Sequence, residues 1–138
     1  MTAREFLDSN VLIYAYDPSD RRKQQIGQGL LRRALAGEIV ISTQVLAEFA
    51  VTLLHKMSPA ALPEDVAAVL DALGPIGVVV PDGDLVRRAV EARGVYGIHF
   101  YDGMIVAAAE RGRCERLWSE DLNSGQQYFG VTVENPFQ

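Results

Sequence analysis

Asp8, Glu48, Asp102 and Asp121, with Glu120 beside the last, are the side chains whose types and positions suggest chemistry. Asp102 is the most informative. Ile105, Val106 and Ala109 follow it at i+3, i+4 and i+7, so on a helix all four share one face and Asp102 lies on the apolar stripe. A lone buried carboxylate is costly unless it is hydrogen-bonded or bound to a cation. The free N–H groups and dipole of a first helical turn offset part of that cost, which leaves a partly buried capping carboxylate as the plain alternative. Asp8 taken alone also reads as a helix N-cap, and Asp121 as a solvated loop residue. Glu48 stands at the shoulder of the apolar face formed by Val45, Leu46, Phe49, Ala50 and Leu53, so alone it reads as a solvated residue. Gathered around one crevice, with no Arg or Lys within these motifs, the acids would raise one another's pKa until a cation entered. All-oxygen ligands suit Mg²⁺ or Mn²⁺ rather than Zn²⁺ or Cu²⁺. Metal-assisted phosphodiester hydrolysis is the chemistry that follows.

The elements that must position these residues alternate. Apolar runs at Arg4–Leu7, Glu38–Ser42, Ile76–Val80, Arg116–Ser119 and Val131–Glu134 read as strands. Between them lie helical patterns at Val11–Tyr16, Asp20–Ala36, Thr43–Lys56, Pro63–Leu73, Asp82 to about Arg93 with Gly94 as its stop, and Phe100–Arg111. Gly27 and Gly29 are expected to kink or fray the second helix. Asp121–Gly130 reads as a loop with room for one helical turn. Apolar rather than alternating strands separated by helices imply an α/β fold with a parallel sheet covered on both faces. Ligands of such sheets bind at the carboxyl ends of the strands. Asp8 and Asp121 directly follow two strands, and Glu48 lies in the helix that begins after Ser42.

The 138 residues suit one domain, read as residues 1–138, with 49% hydrophobic and 22% charged residues. Thirteen Lys+Arg against eighteen Asp+Glu give a net charge of −5, so bulk charge does not advertise a nucleic-acid partner, which would require a local basic patch or a metal ion. One cysteine, Cys114, excludes an internal disulfide and a Cys-rich zinc site, and His55 and His99 are too few for a histidine cage. The start at Met1–Glu5 is not that of a signal peptide, and no run is long enough to span a membrane. A cytoplasmic protein is expected. A haloacid-dehalogenase-type phosphatase would need a second Asp where Asn10 stands. A phosphorelay receiver would need paired acids after the first strand and a lysine at a late strand end, whereas the lysines are Lys23 and Lys56.

Four segments taken together resemble the PIN-domain family and, within it, the VapC toxins of type II toxin–antitoxin pairs. They are Phe6–Tyr14 (FLDSNVLIY), Ser42–Phe49 (STQVLAEF), Tyr101–Ala109 (YDGMIVAAA) and Leu117–Leu122 (LWSEDL), and the ending Asn135-Pro136-Phe137 resembles one VapC branch. The resemblance implies a three-layer α/β/α sandwich and an Mg²⁺- or Mn²⁺-dependent endoribonuclease. Asp8, Glu48, Asp102 and Asp121 match the family's metal-binding and catalytic acids. Ser9, Asn10, Ser119 and Glu120 match supporting positions. It also implies an RNA substrate, a cognate VapB-type antitoxin and a homodimer. Arg21, Arg22, Lys23, Arg32 and Arg33 are candidate RNA contacts, with Arg87, Arg88 and Arg93 as further ones, each also readable as part of a solvated helix face. Tyr14, Tyr16, His99 and Tyr101 are candidates for base stacking, with core packing or capping as the alternative. The apolar stretches Val11–Ala15 and Leu30–Leu35 are the expected antitoxin side. Gly103 departs from the family's better helix formers and is expected to loosen its helix. The rival expectation is a catalytically inactive PIN-like module that only binds RNA or protein.

Overall fold

The computed structural model describes residues 3–138; the reading of Met1–Glu5 falls partly on Met1 and Thr2, outside the described residues. Six strands, β1 (Arg4–Leu7), β2 (Ile39–Ser42), β3 (Val78–Val79), β4 (Cys114–Trp118), β5 (Gln127–Tyr128) and β6 (Val131–Glu134), form one sheet in the order β3-β2-β1-β4-β6-β5. Every pairing is parallel except that of β5 with β6. Six helices connect the strands: α1 (Ser9–Ala15), α2 (Arg21–Leu35), α3 (Thr43–Val51), α4 (Pro63–Ala72), α5 (Gly83–Tyr96) and α6 (Phe100–Arg111). The arrangement is a three-layer α/β/α sandwich. Among the described residues no helix is long and apolar enough to cross a membrane.

Local sequence explains most boundaries. Asp8, Asp20, Ser42 and Asp82 cap α1, α2, α3 and α5 by accepting a hydrogen bond from a first-turn backbone N–H, which satisfies donors that a helix start leaves free. Pro63 opens α4, where its missing N–H costs nothing. Phe6, Leu7, Ile39, Ile41, Leu117 and Val133 from the strands are fully buried against Val11, Leu12, Val45, Phe49 and Val106 from the helices. Gly103 and residues Ile105–Ala109 of α6 are all buried, because α6 lies between the sheet and α5.

Several expectations are corrected. Gly94 does not stop α5. The helix runs on to Tyr96 and ends at Gly97, whose φ of 69° is the left-handed cap that glycine adopts without strain. Gly27 and Gly29 neither kink nor fray α2, which continues through both. A Cβ on Gly27 would stand 2.9 Å from the Ala15 nitrogen and the Val11 carbonyl oxygen, so this glycine is where α1 meets α2 backbone to backbone. Gly103 works the same way: a Cβ there would stand 2.7 Å from the Ala89 carbonyl, so it draws α5 close rather than loosening α6. The strand expected at Ile76–Val80 shrinks to Val78–Val79. The segment after Asp121 holds the β5 edge strand of a hairpin, not a helical turn, and makes the sheet mixed.

Candidate active site

Asp8 and Ser119 extend two neighbouring parallel strands. The register Leu7↔Trp118 of β1 and β4 and a bond from the Asp8 N–H to the Trp118 carbonyl, 3.0 Å, bring the two chain segments out side by side. Asp8 is 3% exposed and Ser119 is fully buried. One Asp8 oxygen, Oδ1, accepts from the Ser9 backbone N–H at 2.7 Å; the other, Oδ2, accepts from the Ser119 hydroxyl at 2.8 Å. The helix cap and the site residue are therefore the same carboxylate in two capacities.

Three short polar side chains tie the acids together. Asn10 Nδ2 donates to Asp121 Oδ2 at 3.0 Å and reaches Asp8 Oδ2 and Ser119 Oγ at 3.4 Å each, while its Oδ1 accepts from the Glu120 N–H at 3.2 Å. Ser119 Oγ accepts from the Asp121 N–H at 3.1 Å. Ser9 Oγ donates to Glu48 Oε1 at 3.2 Å. Asp8, Glu48 and Asp121 are thus cross-linked through neutral donors. Asp102, in the first turn of α6, joins them electrostatically.

Burial, and then the charges of Glu48 and Asp121, push Asp8 up to about 7 against the bonds from Ser119 and Ser9, which pull it down. Glu48 is raised by burial and by the charges of Asp102 and Asp121. Asp102 is raised by burial and by Asp121, with His99 opposing. Asp8, Glu48 and Asp102 thus sense other acids of the set, and none of the four acids has an ion pair with Arg or Lys among the described residues. That is the electrostatic condition in which a cation is attracted. The donors are all oxygens, which suits a hard divalent ion. Among the described residues, however, no group of three acidic, histidine or cysteine side chains stands close enough to form a ready-made cage. The residues therefore fit an ion of the Mg²⁺ kind that keeps waters of its own, and do not fit one caged by direct protein ligands.

Glu120 faces away from this set. Lys23 Nζ binds its Oε2 at 2.7 Å, and the Tyr14 hydroxyl donates to its Oε1 at 3.1 Å. No Arg or Lys lies within the motifs, as read, but Lys23 from α2, outside them, neutralises this one acid. Of the candidate RNA contacts, Lys23 and Arg33 are engaged internally, the latter with Glu5 and Glu38. Arg22 donates to the Phe137 carbonyl at 2.7 Å. Arg21 and Arg32 are exposed on α2. Arg88 grips Glu110 and Glu91 over the Phe129 ring, Arg87 pairs with Asp84, and Arg93 binds the carbonyls that end α5. Tyr14 packs on Phe137 and Tyr16 on Phe49. His99 caps α6 and stacks on Tyr101, which is 57% exposed. Of the stretches expected on the antitoxin side, Val11, Leu12, Ala15, Leu30 and Ala34 are core residues, while Ile13 and Leu31 are half-buried and Leu35 is exposed.

Beside the acids opens a cleft of about 360 Å³ between α1 and α3, lined by Ser9, Asn10, Ile13, Ala47, Glu48, Val51, Thr52, Lys56 and Asp121. Sequence reasoning did not single out Lys56 as a site residue. Its signal was present, since Glu48, Thr52 and Lys56 recur at i, i+4 and i+8 of one helical run.

A family model described as PIN domain matches residues 6–126. No curated protein matches the chain. Among solved structures, a toxin–antitoxin complex from Klebsiella pneumoniae is similar at 21% identity with a TM-score of 0.69, over 96% of this chain and 97% of that one. VapBC2 from Rickettsia felis, bound to a DNA fragment from its promoter, aligns at 20% identity and a TM-score of 0.65, over 95% and 97%. VapC20 from Mycobacterium tuberculosis, described as a toxin that cleaves the sarcin–ricin loop, aligns at 18% and 0.62, over 85% and 91%.

Proposed function

The chain belongs to the PIN-domain family, and from that premise we propose that it is a divalent-metal-dependent endoribonuclease serving as the toxin of a type II toxin–antitoxin pair. The observation that carries this reading is the cross-linked set of Asp8, Glu48 and Asp121, with Asp102 in electrostatic contact, at the carboxyl ends of β1 and β4. An Mg²⁺ or Mn²⁺ ion bound there would supply charge neutralisation at the scissile phosphate and a nucleophile at neutral pH. The chain's own residues do the rest. Asp8, Asp102, Asp121 and Glu48 would hold the ion, in part through its own waters. Ser119 and Asn10 fix the Asp8 and Asp121 oxygens in place, and Ser9 fixes Glu48. Glu48 and Asp121, at the mouth of the cleft, are the carboxylates placed to orient water.

The similar solved structures named as toxin–antitoxin assemblies support a VapB-type antitoxin as the inhibitory partner; a homodimer as the working form is part of the proposal and rests on the family resemblance alone. The DNA fragment in the Rickettsia felis structure belongs to that complex and does not enter the reading of this chain.

The test is direct. Purified protein should bind Mn²⁺ in calorimetry and cleave RNA in its presence. Asp102→Asn should abolish cleavage with a thermal transition in chelator no lower than that of the native protein. Absence of both ion binding and cleavage in the intact protein would favour the alternative, a binding module without catalysis.

A further inference from the structure

We infer that Lys56, at the far end of the α1–α3 cleft, forms a phosphate subsite that holds the RNA strand on one side of the cleavage point. The inference deepens the nuclease reading and rests on it. The cleft is asymmetric in charge: Glu48 and Asp121 line one end, Lys56 the other, and the walls between are Ile13, Ala47 and Val51 with Thr52. Lys56 is exposed and has no ion-pair partner among the described residues. Two basic groups of α2 are occupied elsewhere, Lys23 by Glu120 and Arg22 by the Phe137 carbonyl. A free ammonium facing a pocket of unpaired carboxylates is a cation that the fold has left for something brought from outside.

Backbone geometry supports the placement. After Val51 the α-helix widens into a π-helical turn over Thr52–Lys56, and the Thr52 hydroxyl donates back to the Glu48 carbonyl at 3.0 Å. Widened turns of this kind concentrate at functional sites. Here the turn leaves Glu48, Thr52 and Lys56 lining the same cleft. Eight residues separate Glu48 from Lys56, a rise of roughly 12 Å along the helix. Lys56 therefore addresses a flanking phosphate rather than the scissile one. Apolar Ile13 and Val51 between the two charges provide a wall for the intervening sugar or base. The lining includes no aromatic ring, so the contact is to backbone charge and is tolerant of base identity.

The experiment measures binding apart from cleavage. In an Asp8→Asn background, the affinity for a single-stranded oligoribonucleotide is followed by anisotropy across a salt series, with and without Lys56→Gln. Lys56→Gln should weaken binding severalfold and lower the salt slope by about 0.7, the value of one phosphate contact on a single strand. Lys56→Arg should restore both. Arg113→Gln, a cation ahead of β4 at the opposite edge of the sheet, should leave the slope unchanged. RNA binding that persists with the same slope in Lys56→Gln overturns the inference, leaves the nuclease reading standing and assigns the cleft to a protein partner. No RNA binding in any variant overturns the inference together with the reading beneath it.

Discussion

Asp8 shows how one residue answers two demands. Its first oxygen caps α1 and its second holds Ser119, yet burial and the neighbouring acids lift it from 3.8 to about 7. A carboxyl raised in the native state stabilises the fold fully below its ordinary pKa. That contribution is lost as pH rises through the native value. In metal-free protein the loss falls between about pH 4 and pH 7. Asp8→Asn, neutral at every pH, should therefore stabilise the chelated protein at pH 8 by on the order of 1–4 kcal/mol and differ little at pH 4. Urea midpoints of both proteins at the two pH values check this, and a destabilised variant at pH 8 would contradict it. The same variant should lose cleavage by at least about a hundredfold, since ligand removal takes away the ion's contribution. Asp102 was legible because an acid on an apolar helix face is anomalous; Asp8, Glu48 and Asp121 each had a plain reading alone and stood out only through the strand ends they follow and the family resemblance. Ser9, Asn10 and Ser119 were legible only as supporting positions; which acid each one braces was not, because the bonds of Asn10 to Asp121 and Glu120 span more than a hundred residues. Lys56 was missed because its spacing from Glu48 and Thr52 sets it on one line of a helix but does not show that a cleft opens along that line.

At the scale of the elements, glycines carried the largest errors. Propensity alone treats Gly27, Gly29 and Gly103 as weak points of their helices, each worth roughly 1 kcal/mol relative to Ala. Packing separates them. Gly29 has only the flexible tip of Arg32 within 4.0 Å of an added methyl, whereas Gly27 and Gly103 face backbone at 2.9 and 2.7 Å. Gly29→Ala should raise stability by up to about 1 kcal/mol. Gly27→Ala, in the same helix, should lower it by roughly 1–3 kcal/mol, because the Ala15 nitrogen and Val11 carbonyl cannot yield without moving α1. Since α1 carries Ser9 and Asn10, Gly27→Ala should also slow cleavage, while Gly29→Ala should not. Paired denaturation curves and initial rates on one RNA decide the matter; equal signs for the two stabilities would refute the packing argument. Similarly, Gly94 and Gly97 are both plausible stops for α5 in sequence. Only the left-handed backbone at Gly97 shows which one ends it.

Over the whole molecule, strand order is what turns scattered residues into a site. The order 3-2-1-4-6-5 places β1 between β2 and β4, and ligands of open α/β sheets gather where the winding reverses. A parallel sheet with its ligands at the carboxyl ends of the strands followed from apolar strands alternating with helices; the strand order itself did not. The β5 hairpin did not, because two residues carry no readable periodicity. Nor was it legible that one sheet face stays partly open. Glu5, Arg116, Thr132 and Glu134 line a polar hollow of about 430 Å³ away from the acids. Glu5 is 7% exposed there and is held by Arg33 from α2 and by Trp118 Nε1 at 2.6 Å. Burial alone would raise its pKa; the bonds from Arg33 and Trp118, aided by the charges of Arg33 and Arg116, outweigh burial and hold it below the ordinary 4.5. A depressed carboxyl contributes stability above its unfolded pKa and forfeits it as pH falls through the native value. The native protein should therefore lose stability more steeply than Glu5→Gln as pH drops below about 4.5. At pH 7 Glu5→Gln should be the weaker of the two by on the order of 1–3 kcal/mol, since it leaves the Arg33 charge without its partner. Because the hollow that Glu5 lines shares no residue with the cleft, RNA cleavage by Glu5→Gln should stay within about twofold of native at temperatures where both are folded. Parallel acid titrations of the two proteins, read by tryptophan fluorescence and circular dichroism, would show the curves converging toward low pH; curves that stay parallel throughout would mean that Arg33 and Trp118 do not hold Glu5 ionised.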